Sequence, residues 1–505
     1  MRIERLPEPE LLAKGPPATF CKTALLDGPY SALQQTHKEQ ITVGIVGLKS
    51  LVEKTKDWID LCNDFVESRA SKSKGNGGGG AINKDLFPDF PGTPIAFQCK
   101  IVTDDSYIQP IILSECRGLD KRRKFKYIEE LLSIFESKIK SLLDINEKKP
   151  DVILCILSDE MYETCHVVGD YHKKIKKRKL VDRFQLNLFQ DFDSFQETGV
   201  YAEESKPFFR NFRSALKKIV MNPQIGVPVQ IVREHTIDPD DITTQNAATK
   251  AWNFCTGVFY KSGHLPWVLR DLDGATCFMG ISFYHKKSHY ADDVFTSMAH
   301  LFSNDFEGLI LKGDKVDFDE ALRSPRLDYD KAQRLLKRSL SEYIKIRGTK
   351  PKRLVIHKTS LFNEEEIKGF SEVLEQAHIA YDLVTSAKAS LKLVRHGKYP
   401  VPRGTFISLD ENTYFLYTKG YVPELRTYPG VHIPAPFRVI RWRGDSSVKE
   451  VCKEISALTK LNWNTADFCC GLPITIGFAK NVGQILREFD ENDPFEPQRS
   501  YRFYM

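Results

Sequence analysis

No stretch of this 505-residue sequence approaches the roughly 20 uninterrupted apolar residues that cross a bilayer. Its opening, MRIERLP, has no apolar run of the signal-peptide kind, so the sequence reads as a cytoplasmic protein with no membrane partner. A disulfide scaffold and a zinc site are both disfavoured. The eleven cysteines are odd in number, scatter from Cys21 to Cys470, and contain no C-x-x-C pair, which points to reduced, mostly buried thiols. Cys469 and Cys470 adjoin, but no basic neighbour in sequence would lower a thiol pKa, so packing explains them. A strong charge excess is missing too: 73 basic against 67 acidic residues leave +6. Asn76 to Gly80 (NGGGG) lacks the Lys-Ser/Thr and the preceding strand of a phosphate loop, and reads as a surface loop. Gly44-Ile45-Val46-Gly47-Leu48 lacks the glycine spacing of a dinucleotide fingerprint, which weakens the case for a small-molecule-binding α/β protein.

What is present is uneven charge and a repeated strand-helix rhythm. Basic residues gather at Arg117 to Lys126, His172 to Lys179 and Arg210 to Lys218, while acid collects at Asp191 to Glu204. That pattern suits a polyanion-binding groove, although solvated helix faces produce similar clusters. Ile41 to Leu48 is a β-branched buried strand feeding a helix over Val52 to Val66. Further strands are expected at Pro94 to Val102, Asp151 to Leu157 and Val227 to Val232, with helices at Tyr127 to Leu143 and Lys206 to Val220. This is Rossmann-like alternation. A second series of strands begins at Ala275 to Phe283. It continues through Gly308 to Leu311, Arg353 to Ile356, Ala380 to Val384, Thr405 to Leu409, Tyr414 to Thr418 and Phe437 to Trp442. Helices interrupt it at Tyr329 to Arg347 and Asn363 to Gln376, and an apolar helix near Pro473 to Leu486 closes it, which suits an RNase H-like layer. The halves meet near Asp238 to Thr249, giving an α/β protein with one unit over 1–240 and a second over 241–505.

Local strings, in order, resemble the MID and PIWI domains of short prokaryotic Argonautes. They are ITVGIVGLKSLVEKTKDWI with FPDFPGTPIAFQCK, then FRNFRSALKKIVMNPQIGVPVQIV, NAATKAWNFCTGVFYKSGHLPWVL, and LNWNTADFCCGLPITIGFAKNVGQIL. They span the chain from about residue 6 onward and leave no room for PAZ-like and N-terminal lobes. The resemblance implies a Rossmann-like MID domain with an N-terminal segment, followed by an RNase H-like PIWI domain.

The residues can be weighed without the name. Arg213 and Lys217 lie four apart on an expected helix, hence on one face, and with Lys218 can direct cations at a phosphate. Gln230 follows Pro228 and offers a neutral amide, and Lys261 sits in the small-residue turn Tyr260-Lys261-Ser262-Gly263. Taken singly, each is as well explained by a solvated helix face, a strand edge or an ordinary turn. By resemblance, Arg213, Lys217, Gln230 and Lys261 match the family's pocket for the guide 5′ phosphate, with Arg213 standing where the family usually has Tyr or His. Lys250 lies upstream of the matching lysine and is set aside.

Two-metal cleavage on an RNase H-like core needs clustered carboxylates. The first acid of the family falls at Ser282 in Met279-Gly280-Ile281-Ser282. The second falls in the acid-free string Ile356-His357-Lys358-Thr359, and the last falls near Gly477 or Phe478. The resemblance therefore implies a degenerate nuclease position at Ser282 and no slicing. Asp271, Asp273, Asp292 and Asp293 would be the substitutes in the alternative reading, an active guide-directed endonuclease with a displaced acidic site. They are expected in loops or helices, where Asp makes turns and caps. His285 and His289 could share a helix face but lack further metal ligands. The implied partners are a 5′-phosphorylated guide RNA, a single-stranded DNA target, and an effector chain with an APAZ region and a TIR, sirtuin-like or nuclease domain. Mg2+ at the guide phosphate is the one cofactor implied.

Overall fold

In the computed structural model the described residues are all except 70–82, 166–167, 170–208, 242–244, 273, 288–291, 303–307, 320–323, 390, 397–399, 412, 431 and 491–492. The basic run His172 to Lys179, the acidic run Asp191 to Glu204, the NGGGG loop, Asp273 and His289 therefore lie outside the described residues.

The chain opens with β1 (Arg2–Arg5) and then builds a Rossmann-like unit. Its elements are β2 (Gln40–Leu48), α1 (Lys49–Asn63), β3 (Lys100–Val102), β4 (Ile108–Ile111), α2 (Lys124–Ile145), β5 (Val152–Leu157), α3 (Asp159–Cys165), α4 (Phe212–Val220) and β6 (Val229–Arg233). All five strands β2 to β6 are parallel: β5 lies between β2 and β6, and β3 and β4 both pair with β2. Continuous apolar strands buried on both faces explain this. Val152, Leu154 and Ile156 pack into one core, while Ile153, Cys155 and Leu157 pack into another against α2 and α4. Glycine tightens the sheet, since a Cβ at Gly47 would lie 2.7 Å from the Ile156 side chain.

Helix α5 (Ala247–Lys261) follows, capped by Asn246, whose side chain accepts from the Thr249 N–H. The larger sheet comes next. It contains β7 (Thr276–Lys287), β8 (Asp292–Phe302), β9 (Gly308–Asp319), β10 (Ser324–Arg326), β11 (Arg353–Lys358), β12 (Ala380–Lys388), β13 (Thr405–Ser408), β14 (Tyr414–Leu416) and β15 (Phe437–Gly444). The ten strands run in the order β1-β13-β14-β15-β12-β11-β7-β8-β9-β10. β7, β11 and β12 are parallel and the rest are antiparallel. Helices α6 (Tyr329–Arg347) and α7 (Glu364–Gln376) cover Cys277, Met279, Ile281, Leu354 and Ile356 on one face. α8 (Val448–Leu458) and α9 (Ile474–Leu486) join the core on the other. There α9 lies directly on β7, because a Cβ at Gly280 would fall 2.1 Å from the Thr475 carbonyl.

Several expectations change. Pro94 begins no strand: Thr93–Ala96 is a short helix and only Lys100–Val102 is extended. Asp292 and Asp293 lie on β8, not in a loop or helix, and His285 lies on β7. All eleven cysteines are free thiols. No described helix is long and apolar enough to cross a membrane.

Candidate guide-end pocket

The pocket lies where α4, β6, α5 and the segments 462–464 and 501–505 converge. Asn211 caps α4 by accepting from the Ser214 N–H, which sets the helix and turns Arg213 and Lys217 inward. Lys217 is only 2% exposed. Its Nζ donates to the main-chain oxygen of Met505 and, at 3.5 Å, to that of Phe503. The half-buried Arg213 donates to the Tyr504 carbonyl at 3.4 Å. Lys261, 1% exposed, is the final residue of α5 and not part of a free turn, and its Nζ donates to Asn464 Oδ1 at 3.2 Å. Gln230 lies on β6. Gly257 leaves the space beside it open, since a Cβ there would touch Gln230 Oε1 at 3.5 Å and Asn464 Oδ1 at 3.7 Å. Trp463, stacked on Tyr260 at 4.8 Å, backs Asn464.

Burial holds Lys217 well below the usual lysine range, and repulsion from Arg213 and Lys261 adds to it. Burial and Arg213 bring Lys261 down to about 7. Burial also lowers Arg213, against the influence of Tyr501 and Tyr162. The three cations thus crowd one another, and among the described residues no carboxylate side chain pairs with any of them. An uncompensated buried charge is costly, so the arrangement favours an incoming anion. Phosphate suits it, with oxygens enough for two ammonium groups, a guanidinium and an amide.

Other sequence candidates separate from this group. Lys218 turns away to Asp493, 2.8 Å distant, with its ammonium over the Phe489 ring. Lys250 donates to the main-chain oxygens of His235, Asp238 and Asp241, tying down the segment before α5. The cluster Arg117 to Lys126 is an exposed loop running into α2. Sequence reading missed Asn464, the main chain of 503–505, and Tyr162 on α3. Tyr162 lies close enough to act on the charge of Arg213, and the Arg233 guanidinium covers its ring at 4.2 Å. Asp159 holds Arg233 at 3.3 Å and His235 at 2.7 Å. No spacing rule connects these positions, because they come from distant elements.

On the larger sheet Ser282 lies opposite Ser297, one residue past the Ile281 and Lys358 pair. Lys358 is buried against Glu366 at 2.5 Å. His357 Nδ1 meets Thr475 Oγ1 at 2.9 Å, and burial brings its pKa down to about 3, so it is neutral. The buried carboxylate Asp382 is engaged by Arg353 at 2.6 Å. Asp271 is exposed beside Arg270. Among the described residues, no three His, Cys, Asp or Glu side chains gather as metal ligands.

No protein-family model matches the sequence, and no curated protein does. Solved structures do match its shape. Clostridium butyricum Argonaute bound to a guide DNA with a 5′ deoxycytidine and a 19-mer target DNA is similar at a TM-score of 0.61 and 14% identity. That match covers 97% of this chain and 53% of the other. Aa-Ago with externally bound siRNA gives 0.56 and 16%, over 99% and 56%. A. aeolicus Argonaute gives 0.55 and 16%, over 97% and 54%. The fold is Argonaute-like. Its parallel five-stranded unit and ten-stranded mixed sheet are consistent with the MID and RNase H-like PIWI domains of an Argonaute, and the chain spans about half the length of the Argonaute chains it matches.

The pocket's donor set does not fit a resident Mg2+, which asks for oxygen ligands, carboxylates above all. Three cations line it, no acidic side chain does among the described residues, and Asn464 Oδ1 and the main-chain oxygens of Phe503, Tyr504 and Met505 already accept from those cations.

Proposed function

We propose that this chain holds the 5′ phosphate of a guide strand among Arg213, Lys217, Gln230 and Lys261. The guide, an RNA in this reading, then pairs with a complementary single-stranded DNA target. The observation that carries the proposal is the crowding of three cations in one space with no acidic side chain paired to them among the described residues. Phosphate would supply the missing negative charge, and the nearby Tyr162 ring offers the first guide base a surface to stack on. Sequence specificity is delegated to base pairing, while the protein contributes charge and shape, so affinity falls as salt rises.

We further propose that the chain does not cut. Ser282 supplies no charge where an RNase H-like site begins, and its neighbours Lys358 and His357 are cationic and neutral. Recognition would instead be passed to an effector chain with an APAZ region and a TIR, sirtuin-like or nuclease domain, acting in prokaryotic defence against plasmids or phages.

The test compares binding of one oligonucleotide carrying a 5′ phosphate or a 5′ hydroxyl, in the wild type and in Lys217→Ala/Lys261→Ala. A phosphate preference that disappears in the variant is expected, and equal binding of both ends by the wild type would sink the pocket. Divalent-dependent cleavage of a guide-matched target by the purified chain, lost on Asp292→Asn or Asp271→Asn, would overturn the non-slicing half.

A further inference from the structure

The opening segment of the chain is attached at two distant places. β1 pairs with β13 on the larger sheet, and Leu11–Leu12 pair with Val268–Leu269, just after α5. Between these attachments Glu8 is buried against Arg403 and Lys460, at 2.9 and 2.7 Å. The segment is thus fixed at three points, and the middle one reaches the stretch 460–464, which forms one wall of the pocket.

Lys460 begins that stretch and Asn464, which accepts from Lys261, ends it. Two indoles fix its course. Trp267 donates its Nε1–H to the Lys460 carbonyl at 3.0 Å, and its own carbonyl accepts from Trp463 Nε1 at 3.0 Å. A buried indole N–H needs an acceptor, and here both find it on the facing segment, so the two segments lock reciprocally. The Trp463 ring is also stacked on Tyr260, and the residues that follow the two stacked rings, Asn464 and Lys261, are the ones that meet. Beyond them the Ala466 N–H donates to Asn253 Oδ1 at 2.9 Å, back on α5. Asn464 is therefore braced on both sides, and the bracing decides where the Lys261 ammonium is held.

We propose that residues 6–12 act as a strap, and that Glu8, Trp267 and Trp463 are positioning residues that hold Asn464 and, through it, the Lys261 ammonium where it captures a terminal phosphate. The proposal rests on the guide-end reading of the pocket. An ammonium held in place beforehand spares the ligand the cost of ordering a long side chain.

The experiment measures, on the full chain well below its denaturation midpoint, the affinity ratio between an oligonucleotide with a 5′ phosphate and the same one with a 5′ hydroxyl, together with amide hydrogen exchange over 460–466. The variants are Glu8→Gln and Trp463→Phe. The second keeps a ring on Tyr260 and deletes the bond to Trp267, so it reports even if the first fails to fold. The expected result is a ratio about tenfold lower in each variant, the scale set by freeing one lysine side chain, with faster exchange at Asn464 and Ala466. An unchanged ratio in either folded variant would overturn the proposal, and so would exchange that stays slow. Equal losses for both ends would overturn it too, because a general loosening of the fold gives that result. If the wild type itself binds both ends alike, the guide-end reading falls and the positioning role falls with it, whereas a wild-type preference that survives in the variants leaves the pocket standing and removes only the strap.

Discussion

Two clusters of buried cations differ in whether an acidic side chain sits among them. Arg403 and Lys460 are fully buried on either side of Glu8, at 2.9 and 2.7 Å, and Arg403 is further held by the Thr459 hydroxyl and the Ser456 carbonyl. Burial pushes the Glu8 carboxyl up, yet the two cations outweigh it and keep it below the usual range. In the pocket, Lys217 and Lys261 are as deeply placed and Arg213 is half-buried, and the three meet amide and main-chain oxygens, among them those of Phe503, Tyr504 and Met505. The first cluster is complete within the chain and fastens the segment around residue 8 to α8. The second has no acidic side chain paired to its cations among the described residues. On the proposed reading, compensation by an acidic side chain separates charges that serve the fold from charges that serve a ligand.

The largest effect expected from breaking this contrast is at Glu8. Glu8→Gln leaves two buried cations uncompensated and should cost about 3–5 kcal/mol, read as a lower denaturation midpoint. A change under 1 kcal/mol would show that the cluster is not balanced as described. In the pocket the sign reverses. Lys217→Ala removes a charge that the empty fold tolerates poorly, so ligand-free stability should hold or rise, while the loss of one charge-assisted bond, about 1.5–3 kcal/mol, weakens 5′-phosphate binding roughly 10- to 100-fold.

Acidity sharpens the comparison further. Lys261 titrates near 7 in the ligand-free fold, against an ordinary value of 10.5. Between those values the unfolded chain binds more protons than the folded one, so this group's contribution to ligand-free stability rises as the pH climbs from about 7 toward 10.5. A bound phosphate would favour the charged lysine. Its affinity should therefore fall as the pH rises above 7, by up to about tenfold per unit for each proton taken up, and calorimetry in buffers of different ionisation heat would detect that uptake. The smallest effect is the control. Lys121→Ala breaks an exposed pair with Glu160 and should change stability by less than about 0.5 kcal/mol.

Much of the architecture was legible because apolar periodicity and caps are local. α6 falls where the spacing places it, between the Asp328 cap and Gly348, whose φ of 71° ends it. Strand β8 was missed because DDVFTSMAHLF alternates poorly and opens on two acids. β1 was missed because its partner, Thr405–Ser408, lies four hundred residues away. The pocket was half legible. Arg213 and Lys217 share a local helix face, but the opposite turn of Lys218 toward Asp493 depends on an element in the other half of the chain. Asn464 and Tyr162 carry no signal of their own, since a neutral amide and a lone aromatic acquire meaning only from what folds against them.

The contact between Gly280 and the Thr475 carbonyl sets a mechanical gauge inside the protein. Helix α9 rests on β7 with no intervening side chain, and the same helix carries Phe478, whose ring lies on Tyr501 at the pocket wall. Strand, helix and wall form a stack whose thickness is fixed by one hydrogen atom. A methyl group at position 280 would act as a shim, lifting the helix and nudging Tyr501 while leaving every cation untouched. It would separate how far phosphate capture depends on the pocket's dimensions from how far it depends on its charge.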